Sequence, residues 1–294
     1  MTTFFNIGIL TVDFISLLIT LPGYMFIIVL NILDWQKNER LDISDQLISG
    51  LSLFNLSHRI LYASVNYIVF ANKFLGTSEL QLVLNMLSLS LIFCTLLFST
   101  WLAIHFCLKI VNINHKVYIY TQRMFPKIFP WIHFLSIFAS VLLSIPGALG
   151  LTQKNYQNST AAPWDAGQSF FELLCNFIPS FLCFFLILTS ALKIIFSLKK
   201  HIEQICSNTM EFRAQIVEPH ISAIKTVISL LAFNLLHFTL HFSIIILHFN
   251  IMWVYVLPIL YALCHIFGVA IFIHASSKLR KKMYRFVICD CYGP

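Results

Sequence analysis

Asn234, His237, His241 and His248 follow one another at intervals of three, four and seven positions within an otherwise apolar stretch. On a helix those intervals keep all four within about 60° of one face. Amide and neutral imidazole groups can both donate and accept hydrogen bonds, the chemistry by which a mostly apolar cavity orients a small molecule. Hydrogen bonding between helices without any ligand accounts for the same stripe. Metal binding is the weakest reading, because no Cys or carboxylate joins the histidines from a clear partner position. There is no Gly-rich phosphate loop, HExxH or CxxC, so no catalytic residue or cofactor is expected and the chain is not read as an enzyme.

Charged groups inside apolar runs make a second constellation. Asp13 and the pair His58-Arg59 lie in two such runs, where an ionisable group costs several kcal/mol unless it is paired or solvated. Arg59 is about 12 residues, or roughly 18 Å, from the near end of its run, too deep to reach water by extending its side chain. The expectation is that Asp13 meets it from a neighbouring antiparallel helix. Asn85, Glu172, Asn176 and Tyr261 are placed by helical position to share the cavity of the histidine stripe.

These groups need elements to hold them, and the composition says which. Of 294 residues, 59% are hydrophobic and 11% charged, and the mean hydropathy is +0.83. A soluble domain carries about 25% charged residues, so the chain is read as membrane-spanning. Seven candidate helices are expected: Ile7–Leu33, Leu47–Phe70, Leu82–Ile110, Ile128–Leu149, Phe170–Leu198, Ile221–Leu247 and Met252–His274. Runs of this length fit helices and not the roughly 10-residue strands of a closed barrel. The expected fold is therefore all-α, one seven-helix membrane domain over residues 1–294. All of the 19 Lys and Arg except Arg59, Lys73 and Lys154 fall on alternate connections or the C-terminal end. That asymmetry puts the N-terminus outside and the C-terminus in the cytoplasm. The formal charge of +7 is thus read as a topology anchor facing the lipid bilayer, with no nucleic acid expected.

Asn158-Ser159-Thr160 is a glycosylation sequon in the second outer connection, Gly150–Ser169, on the side that the charge count independently calls external. None of the eight cysteines lies in an outer loop. Cys289 and Cys291 follow a basic, aromatic stretch, where palmitoylation and free cytosolic thiols are both open readings.

Several segments at the inner helix ends resemble the bitter taste receptor family, the type 2 taste receptors. They are Asp34-Trp35-Gln36-Lys37, Asp45-Gln46-Leu47-Ile48, Leu108-Lys109-Ile110-Val111-Asn112, Ser197-Leu198-Lys199-Lys200-His201, His220 through Ser229, and Ser277-Lys278-Leu279-Arg280. They run in the family's order, and no DRY, CWxP or NPxxY motif points to rhodopsin-like receptors. The resemblance implies a multi-pass plasma-membrane receptor that takes a small bitter agonist and signals through a heterotrimeric G protein. It places His237 and Ser88 at pocket positions, with Asn85, Glu172, Asn176, His241 and Tyr261 added by the helical-face reading. Lys109, Lys200, His201 and Lys225 fall on the G-protein side. The alternatives are another seven-helix chemoreceptor of vomeronasal type, or an intramembrane enzyme or transporter using the histidines.

The core departs from the family's pattern. Its Ser-Arg in helix two falls on Phe54-Asn55, with Arg59 one turn outward, so Asp13, Asn55 and Arg59 are the candidate intramembrane switch. Tyr24 stands at a usual Asn, Ser88 at a usual Trp, and Gly268-Val269 at a His-Ser. For the sequon, N-glycosidase treatment of protein from mammalian cells should speed its migration, and Asn158→Gln should run at that position untreated. A band that neither change moves would place the sequon off the external face or leave it unused.

Overall fold

The structure, a computed structural model, describes residues 2–70, 78–111, 115–160, 166–208, 228–240, 243, 251–276 and 279–283. Regular structure among them is helical throughout: α1 (Thr2–Asn38), α2 (Ile43–Phe70), α3 (Ser78–Ile110), α4 (Lys116–Thr160), α5 (Ala166–Asn208), α6 (Ile228–Leu240) and α7 (Ile251–Ala275). Four stretches are long and apolar enough to cross a membrane, namely Leu10–Asn38, Glu79–Ile110, Lys116–Gly150 and Leu174–Lys200. Lys225, His241 and His248 lie outside the described residues.

Which face each helix buries is the reverse of a soluble protein's habit. In α1, Asp13, Ser16, Thr20, Tyr24, Ile27, Asn31 and Asp34 are buried at intervals of three or four, while Phe14, Leu18, Met25 and Ile32 are exposed. With lipid as the solvent no apolar residue needs hiding, and polar side chains turn inward to find partners. In α4, Ser136, Ser140, Ser144 and Ala148 form a buried small-residue stripe, opposite exposed Trp131, Phe134, Phe138, Leu142 and Leu149. Small side chains let helix backbones approach closely, and α4 lays this stripe along α3, where Trp101 Nε1 donates to Ser136 Oγ at 2.9 Å.

The contacts fix direction as well as neighbours. Arg59 with Asp13 and Asn31 with Ser49 run oppositely along α1 and α2. His58 with Ser88 and Phe54 with Phe98 do the same for α2 and α3. On α1 and α7, Ser16 with Ala262 and Tyr24 with His265 advance together, so that pair is parallel. Helix α3 is the hub and packs on α2, α4 and α5. The connection 39–42, the end of α3, the start of α4 and the segment 279–283 after α7 meet at one end of the bundle. Lys37, Arg40, Lys109 and Lys116 are there, and it is called the basic end below. Asp42 caps α2 by accepting from Ile43 N at 3.0 Å, and Glu39 closes α1 in the left-handed region at φ 53°.

Helix α4 differs from its sequence expectation. The stretch 150–160 was read as loop because its polar residues break the apolar run, yet the backbone stays helical to Thr160 and α5 opens at Ala166. Loss of hydrophobicity marks where a helix leaves lipid and does not mark where it stops. Asn158 consequently sits in the last turn of α4. The prolines Pro22, Pro126, Pro130, Pro146 and Pro179 likewise lie inside helices, as membrane helices tolerate.

Four of the described glycines would bring an added Cβ within 3.0 Å of a neighbour, two of them where α7 packs. A Cβ at Gly23 of α1 would collide with Val269 Cγ1 of α7, and one at Gly268 of α7 would stand 2.7 Å from Phe233 of α6. Overpacking of this kind costs about 1–3 kcal/mol. Gly23→Ala should therefore lower the thermal midpoint of the detergent-purified protein, whereas Gly8→Ala, with nothing within 4 Å, should not. Equal midpoints for the two variants would refute the tight α1–α7 contact.

Candidate functional site

At the centre of the bundle α1, α2, α3, α6 and α7 bring their polar groups together. Arg59 of α2 is fully buried, with 0% of its surface exposed. Its Nη1 lies 3.3 Å from Asp13 Oδ1 on α1, and its Nη2 donates to the Asp13 carbonyl at 3.2 Å and to Ser16 Oγ at 3.1 Å. Ser16 Oγ in turn donates to the Ala262 carbonyl of α7 at 3.2 Å. One guanidinium thus ties three helices through a chain of hydrogen bonds, each polarising the next.

An aromatic and imidazole cluster packs beside this ion pair. His58 Nε2 is 3.2 Å from Ser88 Oγ of α3, and its ring lies 5.6 Å from that of Tyr261 and 6.3 Å from that of His265, both on α7. Tyr261 OH approaches His237 Nε2 of α6 at 3.4 Å. Tyr24 OH of α1 sits 3.2 Å from His265 Nδ1. Tyr62 stacks on His58 with centroids 6.3 Å apart. Arg59 Nε and His265 Nε2 are buried and find no hydrogen-bond partner among the described residues. Buried polar atoms are nearly always satisfied, so these two mark where a polar partner would gain most.

Of the sequence-chosen pocket residues, Ser88, His237 and Tyr261 belong to this cluster. Asn85 is half-buried on the same helix as Ser88. Asn176 turns elsewhere: its amide packs at Gly147 of α4, where a Cβ would stand 2.8 Å from Asn176 Nδ2. The side chains of Glu172 and His201 lie outside the described residues, as does that of Asn158. Asn55 is buried and donates to the Leu51 carbonyl at 2.8 Å, within its own helix. Asn234 donates to the Leu230 carbonyl and lines a cavity nearer the basic end, about 20 Å³ and walled by α2, α3, α5, α6 and α7. That is room for one water, and Ser99, whose hydroxyl has no partner among the described residues, lines it too. His265 and Ser16 were missed by sequence reasoning. Each carries a faint signal, His265 one turn from Tyr261 and Ser16 one turn from Asp13, but neither extends a longer polar stripe.

At the basic end, Lys109 Nζ pairs with Asp42 Oδ2 at 3.2 Å, both side chains 56% exposed. Burial alone would raise Asp42, but hydrogen bonds from Lys109, Ser44 and Ile43 N and the lysine's charge outweigh it, holding the carboxyl below its ordinary range. Lys200 is exposed on α5. Among the described residues no group of three or more His, Cys, Asp or Glu is arranged to hold a metal ion. Cys94, Cys107, Cys175, Cys183 and Cys264 are free thiols.

The chain that builds this polar centre and basic end matches the taste receptor protein (TAS2R) family model over residues 1–290. The chain belongs to the taste receptor family. Similar proteins include taste receptor type 2 member 114 of Mus musculus, 25% identical over 237 residues that make up 78% of this chain and 76% of that protein. Member 105 of Rattus norvegicus is 28% identical over 214 residues, 70% of this chain and 68% of its own. Member 114 of Rattus norvegicus is 24% identical over 281 residues, 92% and 90% respectively. This taste receptor is accordingly a membrane protein, and its resemblance to the type 2 family holds well beyond the inner motifs that first carried it.

The buried pair of this taste receptor is testable by stranding one charge. Arg59→Met leaves the Asp13 carboxylate without a counter-charge, a change that costs about 3–5 kcal/mol in a buried pair, and should strip the protein from the cell surface. The swapped variant Asp13→Arg/Arg59→Asp should recover part of that surface signal by flow cytometry. Recovery no greater than in either single variant would count against the Asp13–Arg59 pairing.

Proposed function

We propose that this chain is a plasma-membrane G-protein-coupled receptor for small bitter compounds. It crosses the bilayer seven times, with its N-terminus outside and its C-terminus in the cytoplasm. The observation that carries the reading is the match of the taste receptor family across residues 1–290, together with relatives named as type 2 taste receptors. The four apolar spans supply four crossings, and α2, α6 and α7 supply the rest. The basic end is then cytoplasmic, in keeping with the distribution of Lys and Arg.

A partly apolar agonist enters from the outer side and binds among α3, α5, α6 and α7. Ser88, His237 and Tyr261 are the groups that touch it, with Asn85, Glu172, Asn176 and His241 on the surrounding faces. The buried rings of His58, His237, Tyr261 and His265, with half-buried Tyr62 beside them, support this placement, since an apolar-walled site with a few hydrogen-bonding groups suits such ligands. Binding shifts a pre-existing equilibrium toward a state whose inner face admits the G protein at Lys109, Lys200, His201 and Lys225. Asp13, Asn55 and Arg59 form the switch between the two states. A ligand with different contacts to α6 and α7 in the two states has the differential affinity that such a shift requires.

Calcium release in cells co-expressing a promiscuous G protein, over a broad bitter panel and with surface arrival measured in parallel, tests the reading. At least one agonist is expected, and His237→Ala should change which compounds act while leaving the protein at the surface. Silence across the panel from a surface-expressed receptor would defeat the ligand assignment.

A further inference from the structure

The basic end holds two kinds of ion pair. Lys199 with Glu203 at 3.9 Å and Lys109 with Asp42 at 3.2 Å are exposed on both sides, and such pairs contribute little. Lys282 and Asp34 differ. Lys282 Nζ stands 2.8 Å from Asp34 Oδ1 and 2.9 Å from Oδ2, and the Asp34 side chain is 12% exposed. Asp34 is on α1, and Lys282 lies in the short helical segment 279–283 after α7, 248 positions away.

Other contacts converge on the same corner. Leu279 is completely buried in the main apolar core, and Met283 packs against that core. Ser276 Oγ approaches Asp45 Oδ1 of α2 at 3.4 Å, and Ser276 also receives the amides of Leu279 at 3.4 Å and Arg280 at 3.0 Å. Asn31 of α1 donates to the Asp45 carbonyl at 3.3 Å and to Ser49 Oγ at 2.7 Å. The ends of α1 and α2 and the chain leaving α7 are therefore joined by one polar clasp around a buried leucine.

We infer that Asp34 and Lys282 are positioning residues: their ion pair holds the segment 279–283 on the α1–α2 side of the bundle and so keeps it off the ends of α3 and α5. Without the pair, Leu279 and the partly buried Met283 would have to anchor a segment that also carries Arg280 and Lys281, whose charges favour water or anionic headgroups. With it, the direction in which the chain leaves α7 is set by a charge on α1. Lys193 and Lys200 of α5 are exposed. This inference concerns the path of the chain and does not depend on what the receptor senses.

Hydrogen–deuterium exchange of the full-length protein in lipid nanodiscs reads the clasp directly, in the peptide that contains the Leu279 and Arg280 amides. Asp34→Asn and Lys282→Gln should each speed exchange there about tenfold, the loss expected for one charge-assisted hydrogen bond. Lys282→Arg should stay near wild type, and Asp34→Lys/Lys282→Asp should slow exchange again relative to either single change. Lys281→Gln, at an exposed neighbour, serves as the control that a merely local charge effect would also move. Should the single variants fail to reach the membrane, the swapped pair carries the test and must restore both yield and slow exchange. Unchanged exchange in the single variants, or a swapped pair that fails on either count, overturns the inference.

Discussion

A guanidinium with no exposed surface, set against one carboxylate, is the constraint around which the rest of this bundle is arranged. Moving an isolated charge into low dielectric costs far more than any single contact returns. Arg59 can stay ionised only where several oxygens converge on it. Those oxygens come from Asp13 and Ser16 on α1, and Ser16 is held by the Ala262 carbonyl on α7. Once the guanidinium is satisfied, the axial register of α1 against α2 and of α1 against α7 is settled together. A slip of one turn, about 5.4 Å, would leave the charge stranded. Buried pairs of this kind are better at choosing one arrangement than at adding stability.

The same pair divides the helices into layers. Between it and the basic end the core is apolar and dense, with Leu47, Leu51, Phe98, Leu102, Phe272 and Leu279 buried, interrupted by the small cavity that Ser99 and Asn234 line. Around the pair sit the imidazole and phenol groups of His58, Tyr24, His237, Tyr261 and His265. A rigid apolar layer beneath a polar one can transmit a shift of α6 or α7, because packed cores rearrange between discrete states and do not deform smoothly. Phe233 spans the two layers, its ring touching both Phe272 and His237.

Much of this was legible in the residues, and the reasons are instructive. The Asp13–Arg59 contact followed from depth alone, since a charge that far from water must find its opposite. The all-helical character followed from run length, and the basic end from the distribution of Lys and Arg. His265 was not legible, because a single imidazole in the apolar α7 forms no stripe, and its importance comes from Tyr24 and His58 on other helices. The direction of Asn176 was not legible either. A helical face is known only to within a residue or two of phase, and at 100° per residue that error turns a side chain from one neighbour to the next. The Lys282–Asp34 pair joins residues at opposite ends of the chain, and no local pattern announces it.

The positions that depart from the family's pattern bear on whether the altered core is coherent. Tyr24 replaces a usual Asn and hydrogen-bonds His265. Val269 replaces a usual Ser, and its methyl fills the space left by the missing Cβ of Gly23. Gly268 replaces a usual His, and Phe233 of α6 lies over it. Ser88 replaces a usual Trp and faces the His58 imidazole. Arg59, one turn from the usual Arg, meets Asp13. Here Val269 lies against Gly23 and Phe233 against Gly268, and the Tyr24, Ser88 and Arg59 side chains each meet a polar one. The departures from the resemblance thus fall on contacts between helices, and three of them, Tyr24, Ser88 and Arg59, contribute to the polar cluster at the centre.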